Sequence, residues 1–126
     1  MAGSEAIRVL VVDDHEAVLQ GVAWLVESEA PRLQVAGLAR TGAEAFRLAS
    51  STRPHVIVLD MLLAGETALD LLPGLARASN AAIVILTSMA DPCARTDALA
   101  RGACAWVNKL APASELLAAI HEAHAR

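Results

Sequence analysis

Four apolar runs in this chain end abruptly in polar residues. Ile7–Val12 runs into Asp13-Asp14, Val56–Leu59 into Asp60, Ile83–Leu86 into Thr87-Ser88, and the weaker run Ala103–Val107 into Asn108-Lys109. Brought into one pocket, the three aspartates would repel one another, and some would stay protonated unless a cation sat among them. A hard, oxygen-seeking divalent ion resolves that conflict, and Mg²⁺ (or Mn²⁺) is the usual choice where phosphate is also handled. A carboxylate beside such an ion and a lysine ammonium is suited to accept a phosphoryl group. The metal and Lys109 would neutralise charge on the transferring oxygens, and Thr87 would donate a hydrogen bond to one of them. Any one of these residues serves equally well merely to end a strand. The chemistry is carried by the set.

The set meets only if the apolar runs lie side by side. The runs, with Leu33–Leu38 as a fifth, are short, nearly continuous and β-branched where strongest, as strands buried on both faces of a parallel sheet are. Amphipathic stretches separate them. Val18, Val22, Leu25 and Val26 follow three-to-four spacing, as do Ala45, Leu48 and Ala49, and later Leu116, Leu117 and Ile120. Pro31 and Pro54 precede strands, and Pro92 and Pro112 open helices. Pro73-Gly74 falls inside the expected third helix, where it should bend the helix or end it early. Five alternations with short connections predict a (βα)5 α/β sandwich with right-handed crossovers and helices on both faces. In the strand order 2-1-3-4-5 the reversal point lies between the first and third strands, which gathers Asp13, Asp14 and Asp60 there with Thr87 and Lys109 beside them.

Composition bounds the rest. A chain of 126 residues is one domain's worth, and 56% hydrophobic residues are enough for a sizeable core. Much of that fraction is Ala, Leu and Val spread along the chain, and the longest uncharged stretch, Ala78 to Ala90, is too short and polar for a membrane span. The opening MAGSEAIRV meets Glu5 before any apolar run, unlike a signal peptide. A net charge of −4 without a basic block argues against direct nucleic-acid binding. Cys93 and Cys104 match neither a redox pair nor a zinc spacing. These features predict one soluble, cytoplasmic domain over residues 1–126.

The segments VLVVDDHEAVLQGV, VIVLDMLLAG, IVILTS and WVNKLAPASEL together resemble the receiver domain of bacterial two-component response regulators. The resemblance runs from about Ile7 to His124. VDDH and the K-x-A-x-x-x-E-L ending look most like receivers of the LuxR/NarL-type subgroup, which precede a helix-turn-helix. The resemblance implies a flavodoxin-like (CheY-like) fold and a phosphoryl group accepted on Asp60 from a sensor histidine kinase. It implies that Asp14 binds Mg²⁺ directly and Asp13 mainly through water, with Asp60 and the backbone carbonyl of Leu62 supplying further oxygens. Thr87 and Lys109 would contact the phosphoryl oxygens. Trp106 stands at the switch-aromatic position, usually Tyr or Phe, and reads equally as a packing residue. The output would be a change in the surface of the fourth helix, fifth strand and fifth helix, or in the face of the first and fifth helices, binding a partner or a second copy. Ala94, Leu99, Ala113 and Leu117 are its apolar candidates. An output domain is not expected within this chain, which reads as a stand-alone receiver or the receiver part of a transcription regulator.

Departures from the family pattern lie in the loop after Asp60, where Ala64 and Ala68 replace a frequent Pro and Gly, and at Leu110, which follows Lys109 where Pro is frequent. Leu62 and Met89, each two residues beyond a site residue, would overhang the phosphoryl pocket and hinder water, predicting slow self-dephosphorylation. His15 more readily begins the first helix than ligates a hard ion. Trp24, spaced with the first helix's apolar stripe, reads as core or interface. His121 and His124 suit a helix C-terminus.

Rival readings have their own signatures. A haloacid-dehalogenase-like phosphatase using Asp60 as nucleophile would need a second Asp, as acid/base, where Leu62 stands. A nucleotide- or flavin-binding protein would carry a glycine-rich phosphate loop, and no GxGxxG or GxxxxGK[ST] is present. The chain is therefore not expected to be an enzyme beyond accepting and losing its own phosphoryl group. A degenerate receiver, acting as a binding module without phosphorylation, is the third rival.

Overall fold

The computed structural model of the chain describes residues 5–125; residues 1–4, which belong to the opening stretch weighed above as a leader, and Arg126 lie outside the described residues. Strand β1 (Ile7–Val12) leads through α1 (Glu16–Glu27) to β2 (Leu33–Ala39), and α2 (Gly42–Thr52) returns to β3 (Val56–Leu59). Two short strands, β4 (Leu62–Leu63) and β5 (Glu66–Thr67), precede α3 (Ala68–Ser79). The chain closes with β6 (Ala82–Thr87), α4 (Pro92–Ala100), β7 (Ala103–Asn108) and α5 (Ala113–Ala125). The main sheet is parallel throughout, in the order β2-β1-β3-β6-β7. Without the β4–β5 hairpin, which stands apart, this is the expected 2-1-3-4-5.

Alternation along the strands builds two cores. Leu10, Val12, Ile57, Leu59, Ile83 and Ile85 face α2, α3 and α4. Their neighbours Val9, Val11, Val56, Val58, Val84 and Leu86 face α1 and α5. Successive side chains point to opposite faces, so a one-residue slip in register would exchange the two sets. Each such side chain gains about 1.5–3 kcal/mol from burial, which holds the strand ends at one edge to a single register.

At two helix positions the structure excludes one of the expected alternatives: the core for Trp24 and an early end of α3 for Pro73. Trp24 is 71% exposed and belongs to neither core. The buried stripe of α1 is Leu19, Val22, Ala23 and Val26, and Trp24 lies about 140° round the helix from Leu19 at 100° per residue. Pro73 does not end α3, which continues to Ser79. Proline has no N–H to give the carbonyl four residues back, Leu69, and the Arg101 guanidinium donates to that carbonyl at 3.1 Å. A side chain from the end of α4 thus supplies the missing bond. Gly74 serves close packing: a β carbon there would lie 2.7 Å from the Phe46 ring on α2.

The caps agree with the sequence. The Asp91 carboxylate accepts from the amides of Cys93 and Ala94 at 2.9 and 3.2 Å, with Pro92 at the start of α4. Cys93 and Cys104 are free thiols, the first exposed and the second half-buried.

Candidate functional site

The sheet's own ladder positions the polar set. The Asp13 amide donates to Ala39 at 3.0 Å, the Asp60 amide to Val12 at 3.0 Å, and the Lys109 amide to Thr87 at 2.9 Å. Each site residue is thereby held one step past a strand end, against the neighbouring strand. Asp13 and Asp60 come from β1 and β3, the pair between which the strand order reverses, the usual ligand position of such sheets.

Among the described residues, Asp13, Asp60 and Thr87 are the buried polar or charged side chains. Burying such groups is unfavourable unless they are paired, so the interior's polarity is concentrated in this one place. The Lys109 ammonium bridges the two aspartates, 2.8 Å from Asp13 Oδ2 and 3.2 Å from Asp60 Oδ2. Burial, and then the Asp13 carboxylate beside it, raises the Asp60 carboxyl's proton affinity. Lys109 and the Leu62 backbone pull against that rise without cancelling it. Burial by itself would pull the Lys109 ammonium down, but hydrogen bonding to Asp13 and the charges of Asp60 and Asp13 outweigh it and hold its proton more firmly than usual. One cation therefore leaves this acidic site short of positive charge.

Asp14 supplies an independent sign of the same shortage. Its Oδ1 is buried and has no hydrogen-bond partner. An unpaired buried carboxylate oxygen beside two further carboxylates is the donor set a hard divalent cation needs. One ligand atom from each of Asp13, Asp14, His15 and Asp60 can lie within 4.8 Å of all the others. The residues present fit Mg²⁺.

Around this cluster, Thr87 Oγ1 accepts from the Met89 amide at 3.1 Å, which fixes the hydroxyl at the end of β6. Leu62 is 49% exposed, and Met89 is half-buried against the core. The loop after Asp60 closes as the β4–β5 hairpin round Ala64 and Gly65, with Gly65 at φ +76°. Ala68 is fully buried as the first residue of α3 and its amide donates to Met61 at 2.8 Å, while Ala64 lies in the hairpin turn. Trp106 packs half-buried on the α2–α3–α4 side and borders a hollow of about 240 Å³ with Ala90, Asp91, Pro92 and Arg95. Leu110 is 90% exposed.

His15 belongs closer to the site than its sequence position indicated. It does open α1, and its backbone amide donates to Asp13 Oδ1 at 2.8 Å. Its ring Nδ1 lies 2.8 Å from that same oxygen and 3.3 Å from Asp14 Oδ1. Reading His15 only as a helix start left that contact out. The adjacent DDH triplet was the available signal.

The family model described as "Response regulator receiver domain" matches residues 9–121. The chain belongs to the response regulator receiver family. It is 35% identical over 118 residues to the transcriptional regulatory protein LiaR of Bacillus subtilis, covering 93% of this chain and 56% of LiaR. It is 33% identical over 128 residues to the nitrate/nitrite response regulator protein NarL of Escherichia coli K12, covering 99% of this chain and 58% of NarL. The receiver thus spans little more than half the length of either relative. Among solved structures, the signal receiver domain of the putative response regulator NarL from Mycobacterium tuberculosis superposes with a TM-score of 0.87 at 25% identity, covering 96% of this chain and 98% of that one. The flavodoxin-like receiver fold and the likeness to LuxR/NarL-type receivers expected from the sequence are both borne out. No described helix is long and apolar enough to cross a membrane.

Proposed function

We propose that this receiver is a phosphorylation-controlled switch of a two-component system, acting in the cytoplasm. The observation that carries the proposal is the buried Asp60, set between Asp13 and the Lys109 ammonium at the point of strand reversal. An Asp60 oxygen attacks the phosphorus of a sensor histidine kinase's phosphohistidine. The phosphorus–nitrogen bond breaks, its electron pair returns to the imidazole, and an aspartyl phosphate remains. Asp13, Asp14, Asp60 and the Leu62 carbonyl would hold Mg²⁺ (or Mn²⁺), which when bound would supply charge neutralisation on the transferring oxygens. Lys109 turns from Asp60 to a phosphoryl oxygen, and Thr87 donates to another.

The new charge and its acceptor oxygens bias an existing equilibrium of the α4–β7–α5 or α1–α5 surface. Trp106, beside the start of α4, follows Thr87. The altered surface controls a homodimer, a partner or an output domain of the kind the relatives' length has room for, and the output is transcriptional. Leu62 and Met89 shield the acyl phosphate from water, so the domain loses its phosphoryl group slowly and is otherwise not an enzyme. The test is intact mass after incubation with acetyl phosphate. A single adduct that requires Mg²⁺ supports the reading. A folded protein that stays unmodified leaves the phosphorylation-independent binding module in its place.

A further inference from the structure

We infer that His15 is a ligand that shifts the acidic site's preference toward nitrogen-accepting divalent metals. The inference rests on the metal reading of Asp13, Asp14 and Asp60 given above. Three distances carry it: His15 Nδ1 lies 2.8 Å from Asp13 Oδ1, 3.3 Å from Asp14 Oδ1 and 4.0 Å from Asp60 Oδ2. The ring thus directs a nitrogen at all three carboxylates. The residue is held there by its own backbone, whose amide bonds Asp13 Oδ1 at 2.8 Å. The buried Asp14 Oδ1 near that nitrogen has no hydrogen-bond partner.

A site built from carboxylates and a carbonyl is suited to magnesium, calcium and manganese. An added imidazole favours cobalt, nickel, copper and zinc along the usual order of divalent affinities. In the ion-free site Nδ1–H donates to the Asp13 carboxylate at 2.8 Å, and a metal that takes the place of that proton would meet the Nδ1 lone pair, with the ring's proton then on Nε2. The ring is 64% exposed, so it can adjust to a bound ion without repacking either core. Magnesium gains little from such a nitrogen, while nickel gains a preferred donor. The receiver would then bind nickel or cobalt in competition with the ion its phosphorylation uses.

The test is calorimetric titration with MgCl2 and, separately, NiCl2 of the wild type and the His15→Gln, His15→Ala and Asp14→Asn variants, with circular dichroism to confirm folding. Asp14→Asn identifies the site, because nickel held by the remote His55, His121 or His124 would survive it. The expected result is a loss of nickel affinity of about tenfold or more in both His15 variants, with magnesium affinity changed less than about threefold. Equal losses for both metals, tighter binding of both, or no change would each overturn the role given to His15. Magnesium that fails to bind the wild type would overturn the metal reading itself, and this inference with it.

Discussion

The ammonium of Lys109 lies 3.2 Å from the carboxylate of Asp60, although 48 residues separate them in the chain. That contact, with the 2.8 Å contact to Asp13, ties the end of β7 to the ends of β1 and β3. Removing the ammonium leaves two buried carboxylates facing each other without a counter-charge. Lys109→Ala is therefore expected to lose about 2 kcal/mol of stability in metal-free buffer, and to recover part of it in millimolar Mg²⁺. Urea denaturation with and without the metal checks this. An unchanged midpoint in both buffers would show that the bridge carries no energy.

Asp60 predicts a pH dependence of definite sign. Burial and Asp13 raise its carboxyl above the ordinary value, so the folded state holds that proton more tightly than the unfolded chain does. Its contribution is fully present below the unfolded pKa of about 3.8 and is lost as pH rises through the raised folded value. Asp60→Asn removes the charge that opposes folding. The variant should be more stable than wild type at neutral pH without metal, and the advantage should shrink as the pH falls into the carboxylate range. Thermal melts across pH would contradict this if the variant were equally or less stable at neutral pH.

At the opposite edge of the sheet, His55 Nδ1 accepts from the Arg8 amide at 2.9 Å, and the His124 ring stands 4.9 Å away, centroid to centroid. Burial, with Arg8 and His124 nearby, lowers its pKa from 6.5. The unfolded chain therefore binds this proton more readily. Stability from the neutral ring is present above 6.5 and is lost as pH falls through the lowered folded value. His55→Gln should lose less stability than wild type on acidification through that window. Parallel stability curves would refute the linkage.

The Arg101–Leu69 bond predicts a coupling between two helices. Arg101→Ala leaves the Leu69 carbonyl without its donor at a cost of about 1 kcal/mol. In a Pro73→Ala background the helix supplies its own N–H to that carbonyl, and Arg101→Ala should cost much less. A double-mutant cycle measures the difference. Purely additive effects would mean that the guanidinium does not substitute for the missing amide.

The sheet was legible because its strands are short apolar runs, each stopped by a charged or hydroxylated residue. Asp13, Asp60, Thr87 and Lys109 mark the ends of β1, β3, β6 and β7 to within one residue. The β4–β5 hairpin was not legible: two-residue strands have no periodicity, and the positive φ of Gly65 makes the turn. Of core and interface, the core is excluded for Trp24 by its phase on α1, away from the buried stripe. The continuation of α3 past Pro73 was not legible because the donor that serves the Leu69 carbonyl is Arg101, 32 residues beyond Leu69. For His15, metal hardness was readable from the sequence, whereas its distance to Asp13 depended on how α1 begins.

In the proposed switch Asp60 itself receives the phosphoryl group. The direct measurement is peptide mass mapping of the protein after reaction with acetyl phosphate and Mg²⁺, with Asp60→Asn treated identically. One hydroxylamine-labile adduct is expected on the peptide containing Asp60, absent without the metal and absent from the folded variant. An adduct on another residue, or one that persists in Asp60→Asn, would contradict it.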